Sequence, residues 1–166
     1  MPDELRHLYG GHKPWDSDDW VTTDDRVRGG SSQSHLTVTN PETGCFHGSL
    51  DTSTLGGAGF ASQHSAGILT LDLSSYDGIV IAVSSSTDGK RYALTLKDCI
   101  PGHRDDGRRQ SGISWQAEFK PHGTGEVFLA WGDFKATYRG KDKPDAPPLD
   151  LANIKRIGLM MRRYGD

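Results

Sequence analysis

Residues 113–119, Ile113-Ser114-Trp115-Gln116-Ala117-Glu118-Phe119, decide the fold class. Ile113, Trp115, Ala117 and Phe119 fall on one side of an extended chain and Ser114, Gln116 and Glu118 on the other, the period of two that a half-buried β-strand requires. The pattern recurs upstream in RYALTLKD (91–98), where Tyr92, Leu94 and Leu96 alternate with Arg91, Ala93, Thr95 and Lys97. Asp88-Gly89, between that run and GIVIAV (78–83), is a tight-turn dipeptide, and it predicts a β-hairpin over residues 78–98.

Outward from this segment, weaker strand signals at 34–40, 45–49, 59–63, 68–73, 126–131 and 156–162 bring the expected total to about eight strands. The 21 glycines follow no period and separate short β-branched and aromatic runs, while helical periodicity is almost absent. A chain of strands buries its apolar faces by packing two antiparallel sheets against each other. The expected fold is therefore all-β, an antiparallel β-sandwich of jelly-roll topology. Charged, glycine-bearing segments at 101–112 and 138–148 read as loops. Residues 1–14 read as an N-terminal arm and 15–166 as one domain, long enough to bury roughly two-thirds of its unfolded surface.

Composition narrows the function. The net charge is -3 with both signs interspersed, which offers no basic field for nucleic acid. No run approaches the roughly 20 apolar residues of a membrane span, so no transmembrane segment is expected. The opening MPDELRHLYGG lacks an apolar signal core and is too acidic for an Arg-rich transit peptide, which predicts a cytoplasmic location. Cys45 and Cys99 read by default as free buried thiols, with a single disulfide as the alternative that a reducing compartment disfavours.

The residues that carry chemistry form no familiar catalytic set. The seven histidines are dispersed without ligand spacing, so neither a metal nor another cofactor is expected. Asp16, Asp18, Asp19, Asp24 and Asp25 cluster, and a turn and ion-pair network with Arg26 and Arg28 competes with a catalytic acid pair or a calcium loop. GGSSQS (29–34) and GGAG (56–59) could turn backbone amides toward an anion, but neither completes a nucleotide-loop pattern, and tight turns explain both. No GxSxG elbow is present. Trp20, Trp115, Trp131, Phe134 and Tyr138 suit either a sugar-stacking platform or a core, and the face of Trp115 assigns it to the core.

Several ordered stretches together carry a resemblance: Trp20 with DDRVRGGSSQS (24–34), FHGSL from Phe46, GGAGFAS from Gly56, LDLSSYDGI from Leu71, DGKRYALTLKD from Asp88, ISWQAEF, WGDFKATYRGK from Trp131 and LDLANIKRIGLMMR from Leu149. In that order they resemble the complex I intermediate-associated protein 30 family, especially its fungal members. The resemblance implies a galactose-binding-like jelly roll, similar to carbohydrate-binding module family 11. It also implies a non-enzymatic, chaperone-like role in assembly of mitochondrial complex I, with complex I subunits or other assembly factors as partners. The family pattern continues past the MMR strand with another strand, whereas this sequence ends at Asp166. That predicts a sheet edge open to a substitute segment or to edge-strand self-association.

Two groups of contact residues follow. Asp25, Arg28, Ser31, Ser32 and Gln33 belong to DDRVRGGSSQS, and Trp131, Asp133, Phe134, Tyr138 and Arg139 combine an aromatic wall with charges in WGDFKATYRG. A protein client is the leading ligand and a glycan the second. An enzyme using Asp25, Arg28 and Ser32 comes third.

Overall fold

The computed structural model describes residues 8–10, 14–24, 33–40, 43–49, 59–83, 91–99, 113–120, 125–138 and 141–163. Among them are eleven strands and three 3-10 turns but no α-helix, and every pairing described below is antiparallel: the fold is all-β. They fall into two compact units, one holding residues up to Ala66 with those from Arg162, the other holding Gly67–Met161.

In the first unit β1 (Trp20–Asp24) pairs with β4 (Gly59–Ser65), from Trp20↔Ser65 to Asp24↔Ala61. A second ladder joins β2 (Gln33–Asn40) to β3 (Thr43–Ser49), with an irregularity between Val38 and Asn40. Asp16 opens a 3-10 turn at Ser17–Asp19 by accepting the Asp18 amide at 2.9 Å, so this member of the acidic cluster has a capping role. Tyr9, Trp15 and Trp20 cluster with ring centroids 4.8 to 6.0 Å apart, Trp15 stacking on the other two, and Trp20 is buried. A Cβ on Gly44 would lie 2.8 Å from the Trp15 ring, so glycine is what lets that indole lie on β3.

The same unit has a polar interior. Gln63 is buried, and its Nε2 donates to Thr22 Oγ1 at 2.8 Å, Ser34 Oγ at 3.1 Å and the Ser34 carbonyl at 3.2 Å. Ser34 Oγ in turn donates to the Ser62 carbonyl at 3.0 Å. A carbonyl can only accept, so it fixes the orientation of the Gln63 amide.

In the second unit the sheet order is β11-β6-β7-β9-β10, with β6 at Tyr92–Lys97, β7 at Ile113–Phe119, β9 at Lys135–Tyr138, β10 at Lys141–Asp142 and β11 at Arg156–Arg163, of which the residues up to Met161 belong to this unit. The register sets Leu94 opposite Ala117 and Leu159, and Leu96 opposite Trp115 and Ile157. Paired residues share a face, so the alternation read from the sequence of β6 and β7 builds this core. Leu96, Ala117 and Ile154 are almost wholly buried. The opposite face is covered in part, because Ala93, Gln116 and Thr137 are buried there while Glu118 and Lys135 are exposed. Gln116 was expected on the solvent side of a half-buried strand, and the structure corrects that.

The remaining strands of this unit, β5 (Gly78–Val83) and β8 (Gly125–Ala130), pair with each other from Gly78↔Ala130 to Val83↔Gly125. The hairpin expected over residues 78–98 is therefore not formed: β5 takes β8 as its partner, while β6 lies between β7 and β11. The Asp88-Gly89 turn itself lies outside the described residues.

Other expectations change as well. Residues 68–73 make only an isolated bridge, Leu71↔Ile154, instead of a strand, and Ile68 is exposed. The segment read as a loop from 138 includes the end of β9 and the short β10, and Lys143 N donates to Ala136 O at 2.9 Å. Cys45 and Cys99 are free, as the default reading held, but exposed instead of buried. The loop expected at 101–112 and the chain after Arg163, where a sheet edge was expected, lie outside the described residues.

Candidate functional site

Of the first predicted contact group, Asp25, Arg28, Ser31 and Ser32 lie outside the described residues. Gln33 opens β2 and is exposed, with the next residue, Ser34, turned into the Gln63 network. Alternation along β2 explains the contrast.

The second group is described except for Arg139. After β8 the chain makes a 3-10 turn at Trp131–Asp133, closed by Phe134 N donating to Trp131 O at 3.2 Å. Asp133 caps it by accepting the Ala130 amide at 3.0 Å. Trp131 Nε1 donates to the Tyr76 carbonyl at 2.6 Å, tying the turn to the segment before β5. Phe134 is buried beside Trp131, with ring centroids 5.9 Å apart. Tyr138 is exposed, and Lys143 Nζ stands 6.0 Å from its ring centroid while also pairing with Asp145 at 3.3 Å. The structure brings Trp131, Asp133 and Phe134 together in one turn and sets Tyr138 apart at the end of β9.

These positions bear on the sugar platform. Trp20 and Phe134 are buried, Trp115 and Trp131 are half-buried, and Tyr138 alone of the five rings is exposed. A stacking surface needs several open ring faces side by side, which these rings do not supply.

An open apolar surface appears elsewhere, on the β5–β8 ladder. Ile79 and Ile81 pair with Leu129 and Val127, the more buried members. The alternate face carries Val80 opposite Phe128, exposed by 41% and 55%. Gly78 completes it, since a Cβ there would lie 2.8 Å from the Phe128 ring. Exposed aromatic and branched side chains set side by side on a ladder are the feature that protein contacts use. Sequence reading missed this face because Val80 and Phe128 are themselves apolar, and the single charge on their side, Glu126 opposite Ala82, did not mark them as outward.

Burial raises the Tyr9 hydroxyl pKa above its ordinary value of 10.0, with the Asp19 carboxylate adding to the shift. A phenol held protonated in an aromatic cluster is a packing feature and supplies no base at neutral pH. Among the described residues no three His, Cys, Asp or Glu side chains gather as a metal cage.

Comparison with known proteins adds two findings. The family model described as Complex I intermediate-associated protein 30 (CIA30) matches residues 10–166. An uncharacterized protein of Schizosaccharomyces pombe is 38% identical over 167 aligned residues, which cover 95% of this chain and 74% of the relative.

Proposed function

We propose a role from one premise: the chain belongs to the complex I intermediate-associated protein 30 family. Membership implies a role related to assembly of complex I, the NADH:ubiquinone oxidoreductase, and by analogy a mitochondrial setting. The finer reading is a non-catalytic, chaperone-like factor that holds a protein client, either a complex I subunit or another assembly factor. The observation that supports it is the outward Val80–Phe128 pair on the β5–β8 ladder. Shielding such a pair from water on binding is worth up to about 1.5–3 kcal/mol per fully buried side chain. A client with its own exposed apolar surface would gain by the same contact.

Affinity capture from cross-linked mitochondria tests this. The parent chain is expected to enrich complex I subunits or assembly factors, and Phe128→Ser to lose them while keeping its melting temperature within about 2 °C. Recovery of one specific polypeptide outside complex I would keep the protein-binding reading and remove the complex I assignment. Equal recovery of complex I subunits by parent and variant would remove the β5–β8 face from the role. No specific enrichment by the parent would refute the proposal.

A further inference from the structure

The β2–β3 ladder brings together two histidines that the sequence separates. His35 and His47 are direct partners in the register, with their rings 5.3 Å apart between centroids and tilted by 31°. Both are exposed, as are Thr37 and its partner Cys45, because alternation puts all four on one face while Ser34 and Leu36 turn inward. Thr37 Oγ1 lies 2.7 Å from His47 Nε2.

We propose that the cross-strand pair His35 and His47 is a binding site for a divalent transition-metal cation. Imidazole nitrogens bind such ions at about 2.0–2.1 Å, so two rings serving one ion must stand side by side. Directly paired residues of an antiparallel ladder meet that condition, and the observed ring separation places both rings within reach of a shared ion. The Thr37 hydroxyl engages Nε2 of His47 and leaves Nδ1 for the metal, the arrangement by which an outer partner holds ring orientation. The rings are exposed, so χ adjustment toward an ion meets no packed core.

The chemistry selects the class of ion. Two neutral nitrogen donors favour zinc, nickel and copper over calcium or magnesium, which take oxygen ligands. The described residues gather no third His, Cys, Asp or Glu into the set. The ion therefore takes two ligands from this face, and water fills its remaining positions. Cys45 is two residues from His47 on the same face, the nearest soft donor in sequence. It is outside the proposed ligand set.

Isothermal titration of the full chain with zinc sulfate, run beside thermal melts, tests the site. One zinc per chain is expected, with affinity weakened roughly tenfold or more in His35→Gln and in His47→Gln and unchanged in Cys45→Ser. Thr37→Val is expected to weaken binding less than either histidine variant. Unchanged melting temperatures without metal would show that all the variants fold, as substitutions at exposed positions should allow. Affinity unchanged in either histidine variant would overturn the proposal. So would loss of binding in Cys45→Ser, or a stoichiometry of one zinc per two chains.

Discussion

Replacing Gln63 with leucine removes its amide donations to Thr22 and Ser34 while keeping nearly the same side-chain volume. Thr22 is exposed, so water replaces its lost partner at little cost. Ser34 is buried, and both its carbonyl and its hydroxyl lose the Gln63 amide. Losing hydrogen bonds to a buried group costs about 1–3 kcal/mol, and the Ser34 hydroxyl falls at the low end because it still donates to the Ser62 carbonyl. Added apolar burial by leucine offsets about 1 kcal/mol. The expected loss is about 2 kcal/mol, read as a lower urea midpoint at unchanged slope in equilibrium unfolding followed by tryptophan fluorescence. Ser34→Ala alone should cost about 1 kcal/mol, and the double variant should fall short of the sum by about 1 kcal/mol because both changes break the same contact. A Gln63→Leu protein within about 0.5 kcal/mol of the parent, or strict additivity in the double variant, would refute this account of the network.

Gly78→Ala should destabilise by about 1–3 kcal/mol, since its Cβ collides with the Leu129 carbonyl oxygen as well as the Phe128 ring, and a backbone oxygen cannot yield as a side chain does. Gly132→Ala meets nothing within 4 Å, and its urea midpoint should report a change within about 0.5 kcal/mol. Trp131→Phe removes the donor to the Tyr76 carbonyl and should cost about 1 kcal/mol, seen as a melting temperature lower by about 2–4 °C. The raised Tyr9 pKa, from burial first and Asp19 second, means the folded chain holds the phenolic proton more tightly than the unfolded one. Its contribution is therefore complete below the unfolded value of 10.0 and lost as pH rises through the folded value. Tyr9→Phe should flatten the fall in stability measured from pH 9 to 11, and an unchanged slope would contradict the assignment.

Period-two alternation in ISWQAEF and YALTLK was enough to establish the β class, because a strand's facing is a local property of its own residues. The ordered stretches from Trp20 to Arg162 were likewise legible, and the family match over residues 10–166 agrees with them. Pairing was not. Asp88-Gly89 is a sound local turn signal, yet a ladder partner is chosen by burial across the whole chain, so β5 runs beside β8, some 40 residues away, and not beside β6. The same holds for the candidate surfaces. Glu126 marks the Phe128 side of GEVFLA, but that the apolar Phe128 stays uncovered there while Leu129 is buried depends on what packs against each face. His35 and His47 looked dispersed until the β2–β3 register set them opposite each other. Composition and periodicity determined strand identity, and with the ordered motifs they determined kinship. Which residues meet, and which polar groups sit inside, was left to tertiary structure, because both depend on contacts between segments distant in sequence.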